Sequence, residues 1–198
     1  MHKPFSEACE RNKQPILDIL SRWFAAPGNV LEIGSGTGQH SVHICQTLQH
    51  LLWQPSEIPE TIDGTRAWVA EAGLGNLLAP IELDLSQWFG HTTQMDYLFT
   101  ANTIHFVSWP LVENMVRGAS KTLPGHGKFA VYGPFNENNS FTSVGNQQLD
   151  NWIKSFNPEA GLKNRSAVID LFVDQGLHCI DTQSMPANNL MLLFSRSM

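Results

Sequence analysis

Apolar positions along the chain switch repeatedly between a helical period and a strand-like run, and that switching predicts the elements. Pro15–Phe24 carries Ile16, Leu17, Ile19, Leu20, Trp23 and Phe24 on one helical face and ends at "APG". "NVLEIG" (29–34) then reads as a strand, "QHSVHICQTL" (39–48) as a helix, and "HLLWQPSE" (50–57) as a short strand and turn. "PETIDGTRAWVAEAG" (59–73) is a helix closed by Gly73, and "LLAPIELDL" (77–85) a strand with Pro80 at its start or on a bulge. "MDYLFTAN" (95–102) is a strand, "WPLVENMVRGASKTL" (109–123) a helix and "GKFAVYGPF" (127–135) a strand. "NQQLDNWIKSF" (146–156) and "RSAVIDLFVDQG" (165–176) are helices. "LHCIDTQSMP" (177–186) and "NLMLLFSRS" (189–197) pair across a short "ANN" loop, which only antiparallel neighbours allow.

Strands alternating with helices imply crossover units and a mainly parallel sheet. The expected fold is therefore α/β: a Rossmann-like, seven-stranded, mostly parallel sheet with helices on both faces and a C-terminal antiparallel hairpin strand. No repeat, linker or composition break interrupts the 198 residues, so one domain is expected over 1–198, with 1–28 as an N-terminal lid and helix.

Charge and composition narrow the partners. The net charge is −6 and no Lys/Arg cluster stands out, so no nucleic-acid partner is expected. Cys9, Cys45 and Cys179 are far apart and match neither a metal spacing nor a disulfide framework, which suits a reducing, cytoplasmic setting. There is no apolar run of about 18 residues, and the N-terminus lacks a signal-peptide pattern, so a soluble chain away from membranes is expected. His40 and His43 lie three apart on one helix with no third ligand evident, and no metal is expected.

The chemistry concentrates at "VLEIGSGTGQH", where Gly34, Gly36 and Gly38 follow an apolar strand on alternate positions. In open α/β sheets such a loop sits at the carboxyl edge, where ligands bind. The Gly-x-Gly-x-x-Gly dinucleotide spacing fails, because Gln39 stands at the third glycine's place. The Gly-Lys-Ser/Thr of a nucleotide-triphosphate loop is absent.

These residues resemble motif I of class I S-adenosylmethionine-dependent methyltransferases, and the order of elements matches as well. The resemblance implies S-adenosyl-L-methionine as cofactor, held by Glu32, Gly34, Ser35, Gly36, Thr37 and Gly38. Glu32 either acts on the ammonium end or only ties down the loop. Glu57, closing the second strand, would accept the ribose hydroxyls, with Gln54 as fallback; otherwise it is an acid favoured by a helix N-terminus. Asp84 and Leu85 would meet the adenine, unless Asp84 is a turn residue. Asn102, at the end of the fourth strand with Thr103 and His105, would also contact the cofactor, unless it only turns the strand end.

Across nearly the whole chain, "ERNKQPIL", "GSGTGQH", "WQPSE", "YGPF" and "MPANN" are similar to the methyltransferase-like protein 26 family. Two departures stand out: Glu57 occupies an aspartate position, and "GLKNR" replaces Gly-Ile-Arg-Asp. The likeness implies the fold and a cofactor but no acceptor. A small-molecule acceptor is expected over the ends of the fourth and fifth strands, with His105 and Tyr132 as catalytic candidates. Arg11, Asn12, His40, Phe135, Asn188 and Asn189 are its expected pocket residues, Arg11 and Asn12 on a lid that ends where Pro15 opens the helix. The competing expectations are a catalytically silent cofactor-binding partner protein and an NAD-dependent oxidoreductase.

Overall fold

A computed structural model describes residues 3–88, 90 and 93–197. Seven strands form one sheet: β1 (Gly28–Ile33), β2 (Leu51–Glu57), β3 (Ile81–Glu82), β4 (Tyr97–Ala101), β5 (Lys128–Pro134), β6 (Leu177–Met185) and β7 (Asn189–Arg196). Their order is β3-β2-β1-β4-β5-β7-β6. The first five run parallel, while β7 is antiparallel to both β5 and β6. The sheet therefore changes direction of growth between β1 and β4, and the crevice there opens at the carboxyl ends.

Side chains on a strand alternate between faces, and both faces here are covered. On one side Val30, Trp53, Phe99, Ala130, Tyr132 and Met191 pack with the apolar stripe of α1 (Glu7–Trp23) and with α2 (Gln39–Thr47). On the other, Leu31, Leu98, Phe129, Val131 and Leu192 pack with α5 (Trp109–Thr122) and α7 (Arg165–Asp174). Burial on two faces is why these strands read as continuous apolar runs. α3 (Ile62–Ala72) ends on Gly73 in the left-handed region, as expected.

Four segments differ from the sequence expectation. α1 begins eight residues before Pro15, capped by Ser6, whose Oγ accepts from the Cys9 N–H. Proline inside a helix removes one hydrogen bond and crowds the preceding turn. Here the buried face of Asn12, Ile16, Leu17, Ile19 and Leu20 outweighs that cost. Arg11 and Asn12 are thus helical. β3 shrinks to two residues: Pro80 has no N–H to pair, and the Ala79 carbonyl is taken by Gln54 Nε2 at 2.7 Å. A short helix, α4 (Thr103–Phe106), follows β4 in a stretch to which the sequence pattern assigned no element, and α6 (Val144–Phe156) starts behind its cap Ser143.

Candidate functional site

The glycine loop leaves β1 and turns into α2. Its three glycines do different jobs. A side chain at Gly34 would collide with Thr103 beyond β4, and one at Gly38 would press on Thr65 and Trp68 of α3, at 3.2 Å each. Gly36 instead faces open space, with a left-handed φ of 57° that favours glycine. Its amide donates to Glu57 Oε2 at 2.6 Å, and its carbonyl accepts from Thr65 Oγ1 at 2.7 Å. Ser35 anchors the loop to β2, its amide on the Ser56 carbonyl at 2.9 Å and its Oγ accepting from the Ser56 amide.

A cavity of about 1140 Å³ spreads from this loop along the carboxyl edge. Glu57 stands at the end of β2, its second oxygen taking the Ile58 amide at 2.8 Å. Asp84 and Leu85 follow β3, with Asp84 also accepting from the Ser86 amide at 2.8 Å, so it serves its own turn as well. Asn102 follows β4 in the left-handed region and caps α4. Gly34, Ser35, Gly36 and Thr37 complete this part of the lining.

Glu32 lies elsewhere. It is 1% exposed and absent from the cavity wall, and its carboxylate accepts from Ser41 Oγ and from Trp53 Nε1 at 2.8 Å. Burial raises its pKa, and the bonds from Ser41, Trp53 and Ser35 oppose the rise. Of its two expected roles, tying the loop and α2 to β2 is the one this geometry displays.

The N-terminal segment crosses the same edge. Pro4, Ser6, Ala8 and Cys9 line the cavity. The Gln39 amide clasps Ser6, with Oε1 taking its N–H at 2.6 Å and Nε2 donating to its carbonyl at 3.3 Å. Trp68 Nε1 donates to the Pro4 carbonyl at 2.6 Å, and Lys3 sits over the Trp68 ring while pairing with Glu71. The spacing of these contacts in sequence hid them: only Ser6, as a cap three residues before Cys9, left a local signal.

The expected acceptor residues divide. His40 reaches the cavity and bonds Asn12 Oδ1 through Nε2 at 2.7 Å, while desolvation, then His43 and Lys13, lower its pKa to about 4. Asn12 is buried beneath it, and Arg11 is exposed on the outer side of α1. Tyr132 packs in the α1 face of the sheet, its pKa raised by burial against the effect of hydrogen bonds from Asn12 and Asn189. Phe135 belongs to the opposite face. Asn188 and Asn189 serve the β6–β7 turn, where Asn188 takes a positive φ and Asn189 Nδ2 donates to the Pro186 carbonyl. Tyr132, Phe135, Asn188 and Asn189 all stay off the cavity wall.

His105 is 1% exposed, packed against Gly133 and edge-on to Phe135, with centroids 5.2 Å apart. Neither ring nitrogen has a hydrogen-bond partner. Burial, followed by the charge of Lys163, lowers its pKa to about 3. Sequence reasoning missed the remaining wall: Ile58, Glu60, Thr61 and Asp63 before and within α3, and Val107, Leu111 and Phe156 beyond β4.

A family model described as "Protein of unknown function (DUF938)" matches residues 3–196. Among solved structures, an O-methyltransferase family protein from Burkholderia thailandensis superposes with a TM-score of 0.83 at 18% identity, covering 96% of this chain and 58% of that one. The mitomycin 7-O-methyltransferase MmcR gives 0.83 at 13% identity, over 96% and 54%. Human N-acetylserotonin methyltransferase, solved in complex with S-adenosylmethionine, gives 0.79 at 14% identity, over 97% and 53%. The chain thus spans little more than half the length of these structures, and at such identities they establish the fold, that of S-adenosylmethionine-dependent methyltransferases.

Proposed function

The chain belongs to that family of unknown function, and we propose that it is a methyltransferase that moves a methyl group from S-adenosyl-L-methionine to a small-molecule acceptor. One observation carries the reading: a single cavity gathers the glycine loop, Glu57, Asp84–Leu85 and Asn102 from the ends of four successive strands in the sheet. The donor set fits this cofactor. Among the described residues its lining includes the carboxylates of Glu57, Glu60, Asp63 and Asp84 and no lysine or arginine. That suits a ligand with cationic groups and hydroxyls, and it disfavours the pyrophosphate of NAD. The open side of Gly36 gives backbone room to approach a ligand.

Bound here, S-adenosylmethionine supplies an electrophilic methyl group on a sulfonium. The chain's residues then bind and orient. Glu57 would hold the ribose hydroxyls. Asp84 and the Leu85 amide would hold the adenine, and backbone amides of the loop the carboxylate. The strap of residues 3–9 excludes water, and alignment of the acceptor supplies the rate. His105 is not assigned as the proton acceptor: it lies off the cavity wall, and a pKa lowered to about 3 makes it a weak base at pH 7. The narrower likeness to methyltransferase-like protein 26 fits this reading. Three unpaired cysteines fit a cytoplasmic site, and among the described residues no helix is long and apolar enough to cross a membrane.

One feature favours a second reading, a silent cofactor-binding partner. His105 is off the cavity wall and weakly basic, and His40 is already bonded to Asn12. Turnover separates the two. Incubation with methyl-labelled S-adenosylmethionine and a panel of phenols, amines and thiols should yield labelled product and S-adenosylhomocysteine. Cofactor binding with no transfer to any of them would support the silent partner.

A further inference from the structure

Beyond β4 and at the end of α6 the cavity wall changes character. Phe106 and Phe156 line it, and they are 39% and 57% exposed. Trp152, also 57% exposed, stands between them in edge-to-face contact with both, at 6.2 Å and 84° to Phe106 and at 5.0 Å and 75° to Phe156. Val107, Leu111 and Leu85 continue the apolar lining. Three large rings left this open to water require a reason.

The rings are held, not loose. Three successive carbonyls after β4 are each bonded from the segment that follows α6. Gly161 N–H donates to His105 O at 2.9 Å, Asn157 Nδ2 to Phe106 O at 3.2 Å and Lys163 Nζ to Val107 O at 3.1 Å. That segment is itself tied by the buried Asp150, which accepts from the Leu162 amide and from Lys154, both at 2.7 Å. α6 and α4 therefore present Phe156 and Phe106 at a fixed separation, as a pre-formed pocket does.

Two further facts select the occupant. A volume of about 1140 Å³ exceeds the roughly 300–1,000 Å³ of a pocket for one ligand, leaving room beside a cofactor. Among the described lining residues the charged ones are all carboxylates, and the neighbouring cations are engaged, Lys154 by Asp150 and Lys163 by the Val107 carbonyl, so the cleft disfavours an anion. Rings that meet edge-to-face accept another flat ring in the same way. Resting on the methyltransferase reading, we propose that the acceptor is a flat aromatic molecule without negative charge, seated against the cavity-facing rings of Phe106 and Phe156. These two residues are specificity-determining, and Trp152 holds them apart. A second copy of the chain is the rival occupant of these rings. It is less favoured because Phe106 and Phe156 line a cleft continuous with the glycine loop.

The test uses the full chain saturated with S-adenosylhomocysteine, with that binding measured first by calorimetry. 2-Naphthol, 2-naphthoate and decahydro-2-naphthol are then titrated by ligand-observed NMR, so that charge and flatness vary separately. 2-Naphthol should bind at least tenfold more tightly than either of the others. Phe156→Ala, at an exposed helix end, should weaken it at least fivefold while S-adenosylhomocysteine affinity stays within twofold. Trp152→Ala should act in the same direction. Equal or tighter binding of 2-naphthoate, indifference to Phe156→Ala, or no 2-naphthol binding to a chain that holds S-adenosylhomocysteine would overturn the proposal. So would self-association in sedimentation that Phe156→Ala abolishes, with no naphthol binding, which gives the rings to a second copy. A chain that fails to bind S-adenosylhomocysteine at all refutes the parent reading instead.

Discussion

Glu57 is where one side chain tests the cofactor site. It lines the cavity and holds the Gly36 amide, yet no core contact depends on it. Glu57→Ala should weaken S-adenosylhomocysteine binding tenfold or more, about 1.4 kcal/mol, with the melting temperature little changed. An unchanged affinity would transfer the role to another group. His105 gives a pH signature instead. Its pKa falls from an ordinary 6.5 in the unfolded chain to about 3 when folded, so below pH 6.5 the unfolded state binds more protons. Stability is full above that pH and declines as the pH drops, by about 2 kcal/mol at pH 5 from this residue alone. His40 acts with the same sign, and Glu32, whose folded pKa is raised, acts with the opposite one. Melts at pH 7.5 and 5.0 should therefore show a smaller acid loss in His105→Asn than in the parent chain. The alternating glycines and the acid at position 57 were legible because their spacing is local. The fate of Glu32 was not, since its partners Ser41 and Trp53 lie on another helix and another strand. Nor was the burial of His105, which Gly133 and Phe135 impose from the end of the next strand.

At the scale of elements, α1 and its leading strap decide access to the cavity. The Pro15 signal argued for a late helix start, whereas "SEACE" carried the cap and first-turn acids that begin it. A local rule lost to a buried stripe that extends across the proline. β3 and α4 were hard to read for a different reason: two- and four-residue elements are too short for any period to register. The strap is fastened from outside its own sequence, by Gln39 and Trp68. Trp68→Phe keeps the ring over which Lys3 sits but removes the donor to Pro4. It should speed amide exchange over residues 5–10 and weaken S-adenosylhomocysteine binding severalfold, with the global unfolding midpoint held. In the parent chain the same ligand should slow that exchange. Exchange that ignores both the ligand and the substitution would rule out a closing role for the strap.

For the whole molecule, alternation of strand and helix was enough to read the sheet and its terminal hairpin. It follows that the crevice lies where β1 and β4 part. What alternation does not give is which residues of a strand end reach that crevice. Tyr132 and Phe135, three positions apart, point into opposite faces of the sheet, while Phe156 arrives from a helix that sequence order places far away. The central claim concerns the ligand of this crevice, and it is tested most directly by calorimetric titration of the intact chain with S-adenosylhomocysteine and with NAD. One molecule of S-adenosylhomocysteine per chain, bound with micromolar affinity, and no heat from NAD is the expected result. Saturable binding of NAD with none of S-adenosylhomocysteine would contradict it.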